Sequence, residues 1–468
     1  MTTSRTDAGG TPPYDDGDTA AQGAAPRWSA PAGEIIGHRD SDVLRASGIR
    51  YARATRFQRP VAEAPTDTID ATRPSPGCPQ PPMDFLERVL GVKRGELDFD
   101  EDCLRLSVTV PADATAADAL PVMVMIHGGS YTSGAGDLAI YDPARLVCEQ
   151  RVIVVNVTYR LGLLGYLGDG ADRPANLGLV DQIEALRWVR TNISAFGGDA
   201  ESVTVFGQSA GGDATAHLMI AKGAEGLLRR AIIQSPPVGV MPQRSRMAAA
   251  MMRTASSVAA EGDVDDVLAA QPRIQPSIAR HGIRAGMPFG VQYGHDPLPD
   301  EADLDAAWSE AAQRIDVLIG STDREANFFL AKIAGDRVVT PKGPPFVASL
   351  GTAVVRRLSA SLTARIYGRG VLAFAERHHR AGGRGQRYLL TWGVPGNPYA
   401  GAHTIDLPLL NGTLDTWADA ELVAGVDPQD FERSGRRLRE IFADFARTGD
   451  IGEVSEPGLI EVRELPVA

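Results

Sequence analysis

The sequence predicts an α/β fold: a large central, mostly parallel, twisted sheet flanked by helices. Three buried-strand runs carry this prediction, Pro121–Ile126, Ser202–Phe206 and Asp316–Thr322. The first two end abruptly in a turn, His127-Gly128-Gly129-Ser130 and Gly207-Gln208-Ser209-Ala210-Gly211, and the third is followed by Asp323-Arg324-Glu325. Short continuous apolar runs bounded by turn residues are what strands covered on both faces look like, and parallel sheets are covered on both faces. The second run leads directly into a helix-like stretch, Gly212–Ile220, which completes a strand–turn–helix unit.

Along the chain, Met1 to about Ala30 is rich in Thr, Asp, Gly, Pro and Ala, with neither a basic nor an apolar segment. It reads as a disordered leader, not a signal peptide, so a cytoplasmic location is expected. The 468 residues would ordinarily suggest about three domains. The motifs nevertheless span nearly the whole chain. One domain over 31–468 is expected, with helical insertions at about 241–310 and 340–385. Within the first insertion, Ala248–Met252 and Val264–Ala270 read as helical.

Gly207-Gln208-Ser209-Ala210-Gly211 is Gly-x-Ser-x-Gly at the end of a strand. Its physical reading is a nucleophile elbow. The chain turns so sharply at Ser209 that both neighbours at ±2 must lack a Cβ, and the serine hydroxyl stands at the sheet's carboxyl edge. An ordinary tight strand–helix turn is the bland alternative. A nucleophilic serine needs donors for the developing oxyanion. The glycines of His127-Gly128-Gly129-Ser130 let backbone N–H groups approach without a side chain in the way. With the residue after the nucleophile, the candidate donors are Gly129, Ser130 and Ala210.

Further segments extend this pattern: Gly48-Ile49-Arg50-Tyr51-Ala52 with Arg56-Phe57, Glu101-Asp102-Cys103-Leu104-Arg105-Leu106, Thr158-Tyr159-Arg160-Leu161-Gly162, Asn176–Gln182 and Ala195–Asp199. In this order they resemble the blocks of the type-B carboxylesterase family, the carboxylesterase- and cholinesterase-like α/β-hydrolases, from about Gly33 to Asp450. The resemblance implies an α/β-hydrolase fold whose helical insertions cap an active-site gorge, and a carboxylic-ester hydrolase using a Ser-His-Glu triad and an acyl-enzyme intermediate on small uncharged or hydrophobic esters. Hydrolysis of carbamates, lactones or amides is the nearest alternative. A catalytically silent binding relative is the more distant one. Silent relatives typically lose the serine or the histidine.

The family order is Ser, acid, His. Asp323-Arg324-Glu325-Ala326 follows the Asp316–Thr322 run and resembles the family's G-x-T-x-x-E-G block, which puts the acid at Glu325. Asp323, two residues earlier, is its rival. Of eight histidines, His403 in His403-Thr404-Ile405-Asp406-Leu407-Pro408 resembles the H-x-x-E-L-P block and is the candidate base. His127 belongs to the glycine loop. His217 reads as a packing or surface residue, and His378 and His379, in an arginine-rich helical stretch, read as solvated. His38, His281 and His295 fall outside the motifs. Phe289, Gly290, Val291, Tyr293 and Gly294 are candidates to line the acyl side of the pocket, although core packing is the commoner fate of an aromatic. The substrate-binding residues are otherwise not legible.

Thr158 stands where the family has Asn, and this chain departs from the family at four further positions, around the candidate triad and the glycine loop. Gln208 stands where the family has Glu, removing a carboxylate beside His403. Ser130 stands for the third glycine, Ala326 for a glycine and Asp406 for a glutamate. None removes a backbone donor.

Composition restricts the partners. There are 59 acidic and 47 basic residues, a net charge of −12, and only four lysines: Lys93, Lys222, Lys332 and Lys342. That balance disfavours nucleic acid and anionic membranes, and the Ala-, Gly- and Arg-rich composition suggests a high-GC bacterial coding sequence. No run of 18 apolar residues predicts a membrane span. No cofactor or metal is expected. The expected ligand is a small-molecule ester, bound by a monomer or homodimer. Cys78, Cys103 and Cys148 are an odd count. Cys78 and Cys103 fall where secreted family members close a loop with a disulfide; free buried thiols are the equal alternative here.

Overall fold

A computed structural model describes residues 24–93, 95–258, 260–334 and 345–464. The leader before residue 24 lies outside them. Arg27–Ala30, assigned above to its end, instead form a strand pairing antiparallel with Gly33–Ile36. Trp28 explains the boundary, because its ring stacks on Phe196 with centroids 4.8 Å apart and anchors that strand to the body.

The central sheet has eleven strands. In chain order they are β1 (His38–Asp40), β2 (Val43–Arg50), β3 (Arg105–Pro111), β4 (Leu120–Ile126), β5 (Ile153–Val157), β6 (Gly198–Gln208), β7 (Arg230–Gln234), β8 (Asp316–Thr322), β9 (Gly385–Leu390), β10 (Val454–Glu456) and β11 (Ile460–Glu464). Across the sheet the order is β10-β11-β9-β8-β7-β6-β4-β5-β3-β2-β1. The six strands from β9 to β5 are all parallel, and antiparallel strands extend both edges.

Alternation along each strand splits the core into two layers, as successive side chains on a pleated strand point to opposite faces. Val122, Val124, Ile126, Ala231, Ile233, Val317 and Ile319 face one layer, with Ile183 and Leu186 of the helix Leu177–Asn192. Met123, Met125, Ile232 and Leu318 face the other, with Leu438, Phe442 and Phe445 of the helix Pro428–Thr448. Burial on both faces is why the strands read as unbroken apolar runs.

Two shorter helices border the carboxyl end of β6 and the space beside it: α1 (Asp84–Leu90) and α2 (Ala210–Leu218). The helices expected around Ala248–Met252 and Val264–Ala270 are present as α3 (Ser245–Ala255) and α4 (Val264–Ile278). Among the described residues no helix is long and apolar enough to cross a membrane. Cys78 and Cys103 are free, buried thiols, and Cys148 is free and exposed. The neighbouring Cys78 thiol, then burial, pushes the Cys103 thiol well above its ordinary range.

Candidate active site

The turn between β6 and α2 is as tight as the sequence requires. Ser209 sits at φ 58°, ψ −122°, a left-handed conformation disfavoured for residues with a Cβ. A Cβ on Gly211 would lie 1.9 Å from the Ile126 carbonyl oxygen, and one on Gly207 would lie 2.5 Å from the Gly211 carbonyl. Hydrogen bonds fix the strained residue on both sides: Ser209 N–H donates to the Gln234 carbonyl at 2.9 Å, and Asp213 N–H donates to the Ser209 carbonyl at 2.9 Å.

The glycine loop leaves β4 against this turn. A Cβ on Gly128 would come within 2.8 Å of the Gln208 carbonyl oxygen and 3.4 Å of the Ser209 Cβ. Gly129, Ser130 and Tyr131 all have positive φ, at 111°, 56° and 59°. Among the described residues, none accepts a hydrogen bond from the Gly129 or Ser130 N–H. Ala210 opens α2, so its N–H is also without an intrahelical acceptor. Three free backbone donors therefore flank Ser209. His127 is structural support for the loop: its ring stacks on Tyr159 with centroids 4.3 Å apart. Burial pushes its imidazole down to about 4, so it is neutral near pH 7.

Glu325 and His403 meet at the carboxyl edge of β8. The Nδ1–H of His403 donates to Glu325 Oε2 at 2.5 Å, and Thr322 N–H donates to Glu325 Oε1 at 2.8 Å. Both carboxylate oxygens are thus engaged, and the glutamate is fully buried. Its rival, Asp323, points elsewhere and pairs with Arg324 at 3.3 Å. The His403 ring is packed between Tyr367, Phe328 and Phe329, with centroids 4.9, 5.9 and 5.8 Å away. Its Nε2 lies 3.4 Å from the Gln208 amide nitrogen. Asp406, three residues on, is buried and accepts from Gln234 Nε2 at 2.6 Å. Burial, then the nearby Glu325, raises its carboxyl to about 6.

Ser209 and His403 open into one cavity of about 800 Å³. Its wall comes largely from the segment around α1, including Pro82, Met83, Phe85 and Leu86, and from Phe328 and Phe329, the Phe328 ring lying 5.3 Å from that of Phe85. No motif marks the α1 segment as a wall in the sequence. Phe289, expected near the acyl side, is a core residue, and Tyr293 is partly buried against that core, its hydroxyl 3.0 Å from His217 Nε2. His217 is likewise buried. His378, read as solvated, is buried too, with Nε2 3.0 Å from the Arg384 carbonyl. It lies on the inward face of its helix, and the surrounding arginines mask that in the sequence.

A parallel sheet that delivers a serine on a strand-to-helix turn is the architecture of the α/β-hydrolases, and this chain has it. A family model described as the carboxylesterase family matches residues 25–361. A probable N-octanoylanthranilate hydrolase of Rhodococcus erythropolis is 37% identical over 439 residues, covering 92% of this chain and 94% of that protein. The para-nitrobenzyl esterase of Bacillus subtilis is 32% identical over 453 residues, covering 89% of each. Among solved structures, a thermophilic PNB esterase superposes with a TM-score of 0.75 at 28% identity, over 94% of this chain and 98% of that one. The chain belongs to the carboxylesterase family, and it is a carboxylic ester hydrolase.

Proposed function

We propose that Ser209 is the nucleophile, His403 the general base and Glu325 the orienting acid of a serine esterase that forms an acyl-enzyme on small uncharged or hydrophobic esters. The observation that carries this reading is the buried 2.5 Å contact between His403 Nδ1 and Glu325 Oε2, with His403 and Ser209 lining one cavity. A serine hydroxyl is a weak nucleophile at neutral pH, so attack requires a base to take its proton. With Nδ1–H held by Glu325, the lone pair of His403 is on Nε2, the nitrogen that lies 3.4 Å from the amide of Gln208, the residue before Ser209. The imidazolium formed on attack keeps Glu325 as its partner and returns the proton to the leaving alcohol. Gly129, Ser130 and Ala210 N–H groups stabilise the tetrahedral oxyanion, and water then releases the acid. The apolar walls favour uncharged acyl and alcohol groups.

Hydrolysis of N-acyl amides is a second reading. One observation favours it: the 37% identical relative is named for an N-octanoyl compound. In that reading His403 protonates a leaving amine.

The test is a hydrolysis series over p-nitrophenyl esters of increasing acyl length, with N-octanoyl anilides alongside. The wild type is expected to cleave the esters, and Ser209→Ala to lose about 10⁴–10⁶ of that rate. Turnover of anilides with esters untouched would replace the first reading by the second.

A further inference from the structure

Behind the glycine loop lies a buried polar cluster that the proposed chemistry does not use. The Tyr131 hydroxyl donates to Asp213 Oδ2 at 2.6 Å, and both side chains are wholly buried. Tyr131 is the last of the three positive-φ residues of the loop. Asp213 lies in the first turn of α2, and its own N–H is bonded to the Ser209 carbonyl. One hydrogen bond therefore joins the element that offers the Gly129 and Ser130 N–H groups to the element that offers Ser209 and the Ala210 N–H.

The surroundings hold this bond in place. The Tyr131 ring packs 4.3 Å from that of Tyr166, and its carbonyl accepts from Gly162 N–H at 2.7 Å. Arg244, at the start of α3, is buried beside the cluster, its Nη2 bonded to the Met287 and Pro288 carbonyls at 2.8 and 2.7 Å. Its Nη1 and Asp213 Oδ1 are both buried with no partner, and Arg244 feels the Asp213 charge without a direct contact. Burial, then the Asp213 carboxylate, keeps the Tyr131 hydroxyl protonated and so available as the donor. Ser130 and Tyr131 occupy strained backbone conformations, which persist only where surrounding contacts over-determine them. The tyrosine–aspartate bond is such a contact.

We propose that Tyr131 and Asp213 are positioning residues whose hydrogen bond sets the geometry of the oxyanion donors, by locking the Gly129–Tyr131 loop to the first turn of α2. The proposal rests on the reading of Ser209 and the loop given above. Neither residue lines the cavity, so neither touches substrate. Oxyanion stabilisation is steep in geometry, since a misplaced donor is worth far less than an aligned one.

The experiment compares wild type with Tyr131→Phe, Asp213→Asn, Asp213→Leu and Ser209→Ala on one p-nitrophenyl ester. It also measures inhibition by an alkyl trifluoromethyl ketone, which binds serine as an oxyanion, and by the matching methyl ketone, which does not. Tyr131→Phe removes a single oxygen and is expected to lower kcat about 10- to 100-fold with KM changed less than about threefold. Trifluoromethyl ketone affinity should fall by the same factor as kcat, and methyl ketone affinity should hold. Asp213→Asn keeps an acceptor for the tyrosine and should retain most of kcat, whereas Asp213→Leu should behave like Tyr131→Phe. A merely structural role would move the melting temperature without this parallel loss. Unchanged kcat and trifluoromethyl ketone affinity in Tyr131→Phe, with Ser209→Ala inactive, overturns this proposal alone. Full turnover by Ser209→Ala overturns the underlying reading and the proposal with it.

Discussion

The carboxamide nitrogen of Gln208 lies 3.4 Å from Nε2 of His403, and Gln208 is the residue immediately before Ser209. With its Nδ1–H committed to Glu325, the neutral histidine presents a lone pair to an amide that donates. A carboxylate at that position would instead attract the imidazolium. The exchange of Glu for Gln thus changes which protonation state of the ring its neighbour favours.

Gln208→Glu is therefore expected to move the acidic limb of the kcat/KM profile to higher pH, by less than about one unit. The sign follows from electrostatics, since an added negative charge favours the protonated ring and the base is lost at a higher pH. Profiles that superimpose, or a variant limb at lower pH, contradict it. The two profiles are measured at one ionic strength, because the effect is electrostatic.

Glu325→Gln is expected to lower kcat/KM by a large factor, about 10²–10⁴, because the imidazolium loses its charged partner while the oxyanion donors remain. Asp323→Asn should change it by less than about threefold, since that carboxylate pairs with Arg324 and not with the ring. The reverse ranking in steady-state kinetics moves the acid to Asp323.

The strands and the turn at Ser209 were legible because local pattern encodes them: apolar runs buried on both faces, and glycines where a Cβ would strike backbone. Glu325 and His403 were legible only through blocks resembling a family, since nothing within Asp323–Ala326 separates one carboxylate from the other. The 2.5 Å contact that does so joins residues 78 positions apart. Tyr131–Asp213 and the cavity wall around α1 were not legible for the same reason. Each depends on which loop the sheet brings against which, and neither residue of the pair departs from what a buried tyrosine or a helix-start aspartate looks like. His378 was misread because helical burial depends on which face docks, and a run of arginines says nothing about that.

Asp406 gives a stability prediction. Its carboxyl is raised to about 6 by burial and then by Glu325, against about 3.9 for an unfolded aspartate. A raised carboxyl stabilises the fold below its unfolded value, and that stability is lost as pH rises from about 4 to about 6. The loss amounts to at most about 3 kcal/mol. Asp406→Asn keeps an acceptor for Gln234 and should remove this slope. The variant should gain stability relative to wild type as pH rises across that window. The difference between the two proteins isolates the group, because His127, lowered to about 4 by burial, has the opposite slope in both. Urea denaturation at several pH values reads it, and parallel curves contradict the assignment.

The central claim is that Ser209 is the nucleophile, and covalent labelling tests it most directly. The protein is treated with a fluorophosphonate, digested and mapped by mass spectrometry, with Ser209→Ala in parallel. One adduct per chain is expected, on the peptide containing Ser209, with ester hydrolysis lost in step with labelling. Ser209→Ala should take up no label and should not turn over. An adduct on another residue that tracks the loss of activity, or near-normal turnover by Ser209→Ala, would contradict the account.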